Sequence, residues 1–271
     1  MKNQNYKVDF FTGIILVVGL FIGASFAYAV GLGLSALFSK DIQQTGWFSV
    51  FSYSMTMLTP ILFFHFLIVR NEGKKLSFDF SPKPFRVYLL IFPMMFGMMI
   101  IADYTTQLIP TTGNFLGPIY KIYTDEFSKL LTSPVSLVLM TVILAPILEE
   151  ILFRGIIMKG MIHNQVKPAT AIIISAFIFG AVHFNPWQFA GAFLLGLVLG
   201  LVYYKTKSLL MSIMLHAFNN LLSVLMMMYS DSETFSGLFK INKELMLVFG
   251  IVIFAIPFYF FAIHKNIIYK D

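Results

Sequence analysis

Eight apolar runs, near 10–37, 47–69, 87–109, 134–160, 169–185, 187–204, 208–230 and 244–264, constrain this chain more than any other feature. A bilayer core takes about 20 apolar residues per helix, and backbone inside hydrocarbon has to satisfy its own hydrogen bonds. The runs therefore predict an all-α polytopic membrane bundle of about eight transmembrane helices around a buried polar cavity. Charged residues fill only 12% of the 271 positions, against roughly 25% in soluble domains. The breaks are plain: Asn185-Pro186 ends one run, and Lys205-Thr206-Lys207-Ser208 ends the next. The first run is longer than the roughly 7–15 residues of a signal-peptide core and shows no small-residue cleavage site, so it reads as a retained span.

Charge sorts by topology. The formal net charge is +6, yet the 19 Lys and Arg stand singly or in small groups between the apolar runs. That spread argues against a nucleic-acid partner and for the positive-inside rule. With the N-terminus in the cytoplasm, 14 of the 19 fall on inner segments, Lys2, Lys7, Lys265 and Lys270 among them, while Lys40, Lys121, Lys129, Lys240 and Lys243 fall outside. Both termini are expected in the cytoplasm of a multi-pass plasma-membrane protein, and short inner loops without organelle signals suit a bacterial cell. The chain has no Cys, which excludes disulfides, thiolate metal sites and a cysteine nucleophile. With no internal repeat and no dividing linker, residues 1–271 read as one membrane domain, and 105–132, with Pro110, Gly113 and Pro118, as an outer loop.

Charges inside apolar runs cost about 2.5–3.5 kcal/mol each on insertion scales and tend to mark function. The fourth run carries three, in Leu148-Glu149-Glu150-Ile151-Leu152-Phe153-Arg154. On a helix Glu150 and Arg154 share a face and can pair. Glu149 is turned about 100° away and is the better candidate for chemistry. A bland alternative has all three snorkelling at the interface. The fifth run ends Phe179-Gly180-Ala181-Val182-His183, with Phe179 and His183 on one face; His183 alone suits a structural hydrogen bond as well as a functional one. In the seventh run His216 and Asn220 share a face, and two donors there can hold an oxyanion; interhelical hydrogen bonding is the alternative. Asn219 is expected to point elsewhere. His65, His163 and His264 read as structural or interfacial, Asp103 as interfacial or cavity-facing, and Met226, Met227 and Met228 as packing.

Taken in order, Glu149-Glu150-x-x-x-Arg154, Phe179-x-x-x-His183 and His216-x-x-x-Asn220 resemble the motifs of the CPBP family, the CAAX proteases and bacteriocin-processing (Abi) enzymes. The resemblance covers 134–230, the catalytic core of such proteins. It implies an intramembrane glutamate endopeptidase, with Glu149 and His183 activating water, His216 and Asn220 stabilising the oxyanion, and Glu150 with Arg154 in support. It implies no cofactor, and as partners the lipid bilayer and a peptide or protein substrate, here a small peptide precursor rather than a prenylated protein. It sets no oligomeric state. Three rivals remain: a zinc protease using a glutamate with His183 and His216, although no His-Glu-x-x-His occurs; a non-enzymatic immunity or regulatory protein; and a transporter, which lacks the expected inverted repeat.

Overall fold

The structure is a computed structural model that describes residues 6–230, 232 and 234–263. Lys2, His264, Lys265 and Lys270 lie outside the described residues, as do the side chains of Glu126, Phe127, Lys129 and Leu130. The fold is all-α, 81% helical, with no strand among the described residues. The helices are α1 (Phe10–Phe38), α2 (Gly46–Val69), α3 (Phe85–Gln107), α4 (Leu116–Leu131), α5 (Pro134–His163), α6 (Pro168–Ala181), α7 (Pro186–Thr206), α8 (Leu209–Tyr229), α9 (Phe235–Phe239) and α10 (Lys243–Ile263). Among the described residues seven of them, α1, α2, α3, α5, α7, α8 and α10, are long and apolar enough to cross a membrane, and α6 is a shorter apolar helix. The polytopic helical bundle read from the sequence is what the chain forms.

Two expectations need correction. The stretch 105–132 is not simply a loop, because α4 occupies Leu116–Leu131. Its Leu116, Ile119, Tyr120 and Tyr123 recur at the i, i+3, i+4, i+7 spacing of an amphipathic helix, and Pro118 sits in the first turn, where a missing N–H costs little. The fifth run does not stay helical to 185. It ends at Ala181, after which Phe184 turns into the left-handed region (φ 56°) and Asn185 caps α7 by accepting from the Gln188 amide at 2.8 Å.

The chain divides into two compact units, Met1–Phe78 with Glu126–Ala171, and Asp79–Asp125 with Ile172–Asp271. In the first, α1 buries one stripe, Leu16, Gly19, Gly23, Ala27 and Gly31, against α2. The small residues let the backbones close up: a Cβ on Gly23 would stand 2.5 Å from the Met55 carbonyl oxygen, and one on Gly19 2.7 Å from the Pro60 Cα. Asp9 starts α1 with a capping box, accepting from the Thr12 amide at 2.9 Å while its own amide reaches Thr12 Oγ1 at 2.7 Å. The Thr12 amide bond holds the Asp9 carboxyl below its ordinary range.

Helix α5 is not uniform. An α-helical turn, Ala145–Glu150, lies between π-helical stretches at Leu139–Leu144 and Ile151–Met158. Pro146 has no N–H for the carbonyl of Val142 and its ring crowds that carbonyl, which accounts for the first widening. At the second, the Tyr6 hydroxyl donates to the Gly155 carbonyl. Beside it the Val8 amide donates to Gly160 at 3.1 Å and His163 Nδ1 donates to the Tyr6 carbonyl at 3.0 Å. His163 is thus structural, as expected.

The second unit is built on α3. Val87, Ile91, Met94, Met95 and Met98 pack with Val198, Leu199 and Val202 of α7, Met211 and Leu215 of α8, and Phe261 of α10. Gly97 and Gly250 allow α3 and α10 to touch; a Cβ on Gly250 would meet Ile100 Cγ2 at 2.7 Å. The Lys205 ammonium is buried at the end of α10, donating to the carbonyls of Phe261 and, at 2.9 Å, Ala262. Carbonyls at a helix C-terminus lack intrahelical partners, so a cation is favoured there. Before α3, the Ser81 amide donates to Asp79 at 2.7 Å and Lys83 pairs with it at 3.2 Å. Burial opposes the Asp79 carboxylate, but these partners together hold its pKa below the ordinary value.

Candidate active site

Within the first unit, Glu149 and Glu150 end the α-helical turn of α5, and Arg154 lies in the π-helical stretch that follows. Glu149 is 7% exposed, and Glu150 and Arg154 are completely buried. Burial of all three removes the snorkelling alternative. Arg154 Nη1 stands 2.7 Å from Glu150 Oε1, the i, i+4 ion pair expected from the sequence. Such a pair offsets the several kcal/mol that either ion alone would cost in a low-dielectric interior.

Glu149 is turned toward a different neighbour. The hydroxyl of Tyr53, on α2, donates to its Oε1 at 2.5 Å. Sequence reasoning missed Tyr53. The signal was a phenol in the middle of an apolar run, which needs a hydrogen-bond partner when buried, but its partner lies 96 positions away.

Within the second unit, Phe179 brings two histidines together. Its ring makes edge contacts with His183 at 5.4 Å and with His216 at 5.6 Å between centroids. His183 lies in the turn after α6, with Nδ1 2.8 Å from the Phe179 carbonyl oxygen. A carbonyl only accepts, so Nδ1 carries the proton, and in the neutral ring Nε2 bears the lone pair. Asn185 steadies the same turn by donating to the His183 carbonyl at 3.2 Å.

On α8, His216 is buried and Asn220 follows one turn later on the same face. Asn219 does not point elsewhere: its amide donates to Asn220 Oδ1 at 2.9 Å. With Oδ1 accepting, the Asn220 nitrogen is the atom that presents N–H groups. Asp103, expected at an interface or cavity, accepts from the Phe235 amide at 3.0 Å and from Gln107 at 3.1 Å, and so caps α9. Within neither unit do three or more His, Asp or Glu side chains of the described residues gather as metal ligands would.

The fold and these residues define a class: a polytopic α-helical membrane protein with two buried carboxyl groups on one helix, α5, and, in the other unit, two imidazoles against one phenyl ring with a carboxamide nearby on α8. Residues 131–222 match the family model described as Rce1-like, type II CAAX prenyl endopeptidase. The match bears out the resemblance to the CPBP intramembrane proteases. Glu149, Glu150, Arg154, Phe179, His183, His216 and Asn220 all fall inside the matched stretch. At family level it supports an intramembrane endopeptidase, a peptide hydrolase acting at the bilayer. No significant match is found among curated proteins or among solved structures.

Proposed function

We propose that this protein is a glutamate-dependent intramembrane endopeptidase of a bacterial plasma membrane that cleaves a small peptide precursor. The observation that carries the reading is that every residue of the three motifs lies inside the Rce1-like stretch, in buried or half-buried positions with side-chain partners suited to their roles. Glu149 acts as general base on water, with His183 Nε2 sharing the proton; the attacking oxygen adds to the peptide carbonyl. His216 and the Asn220 amide donate to the oxyanion as it forms, and the proton held by Glu149 and His183 passes to the departing amine. Glu150 and Arg154 hold the helix that presents Glu149.

The test is cleavage by the full chain, purified in detergent, of a panel of leader-bearing peptide precursors and a farnesylated CAAX peptide. Wild type is compared with Glu149→Ala, His183→Ala and His216→Ala, each checked for folding, with and without a chelator. Cleavage of a precursor that all three substitutions abolish, with no effect of chelator, is the expected result. Activity lost to chelator and restored by zinc would move the assignment to a metalloprotease. A cellular phenotype that survives Glu149→Ala, with no cleavage of any peptide, would replace the enzyme with a binding protein.

A further inference from the structure

The geometry assigns Tyr53 a role in setting the orientation of the Glu149 carboxylate, as a positioning residue for the proposed reaction; the inference rests on the endopeptidase reading. The neighbouring hydroxyls on α2 turn back on their own helix: Ser54 donates to Val50, Thr56 to Ser52 and Thr59 to Met55, at 2.7–2.8 Å. Tyr53 instead reaches α5 and donates to Glu149 Oε1 at 2.5 Å. Tyr53 is the donor in this bond, so the residue acts through Glu149.

The hydroxyl is well placed to fix a carboxylate because its own helix is pinned on both sides of it. A Cβ on Gly31 would meet Phe48 Cζ at 2.5 Å and one on Gly23 would meet the Met55 carbonyl oxygen at 2.5 Å, so α1 backs α2 closely at the turns that flank Tyr53. On α5 the adjacent Glu150 is committed to Arg154. Glu149 thus stands beside a residue tied to its own helix by the Glu150–Arg154 pair and takes an orienting hydrogen bond from α2, the kind of support that a precise catalytic group requires.

The role is read from Tyr53→Phe, which removes one oxygen and little volume. With the best-cleaved peptide of the panel, kcat should fall about 10- to 100-fold, as for a misplaced catalytic group, while KM and the thermal unfolding midpoint hold. A kcat within about twofold of wild type would overturn the assignment. A second measurement does not depend on turnover: the rate at which dicyclohexylcarbodiimide modifies Glu149, read by mass spectrometry with Glu149→Gln as the blank. Loss of the hydroxyl should speed modification about two- to tenfold, and an unchanged rate would overturn the assignment. If Glu149→Gln cleaves as fast as wild type, the endopeptidase reading fails, and the labelling result still decides whether Tyr53 orients the carboxylate.

Discussion

Arg154 and Glu150 are buried ions whose tolerance of the interior depends on each other. Arg154→Met should therefore destabilise the protein by about 3–5 kcal/mol, because it leaves Glu150 charged and buried. Pairing it with Glu150→Leu should recover most of the loss, and thermal unfolding in detergent of the two variants checks both. Asn220 separates differently. If its amide holds the oxyanion, Asn220→Ala should lower kcat about 10²- to 10³-fold with little change in unfolding, whereas an interhelical structural amide would show the reverse. The Glu150–Arg154 pair was legible in the sequence because i, i+4 spacing alone brings two side chains together. The bond between Tyr53 and Glu149 was not, since nothing local encodes which helix lies opposite a phenol. Asn219 was misjudged for a related reason: helical angle separates adjacent residues by about 100°, but two flexible carboxamides can fold back across that angle.

Most helices could be read off as apolar runs, and their observed ends lie close to the expected ones. What escaped was structure decided by competing local effects. Helix α4 has too many polar residues to register as a span, so its amphipathic spacing passed for loop. The π-helical stretches of α5 leave no compositional mark, although Pro146 signals a disturbance. His183 was placed on a helix because Phe179-x-x-x-His183 has helical spacing; Asn185-Pro186 shortens the helix instead, since the residue before proline avoids helical geometry. At this scale, Gly23→Leu should separate α1 from α2 and cost about 1–3 kcal/mol by overpacking; Gly13→Leu, on the same helix with open space around it, should cost little. The Asp9 cap gives a pH-dependent counterpart. Its folded pKa lies below the ordinary 3.8, so its contribution is complete above that value and is lost as pH falls through the folded pKa. The difference in unfolding free energy between wild type and Asp9→Ala, about 0.5–2 kcal/mol for a cap, should be full at neutral pH and close in that acid range.

The molecule as a whole is a set of apolar helices whose orientation across the bilayer is testable in a chain with no Cys. Single cysteines at Lys75 and Lys121 should behave oppositely toward an impermeant maleimide in intact cells: Lys121→Cys reacts, and Lys75→Cys reacts only after permeabilisation. The reverse pattern would place the termini outside. The matched family stretch, 131–222, starts beyond α1 and α2, yet α2 supplies the hydroxyl that meets Glu149. That separation of 96 residues has a meaning for biogenesis. At about 5–20 residues per second of synthesis, the hairpin of α1 and α2 leaves the ribosome several seconds or more before its acceptor exists. During that interval the Tyr53 hydroxyl lacks the acceptor it has in the folded protein, so the bond that ties α2 to α5 forms only after both helices have been made.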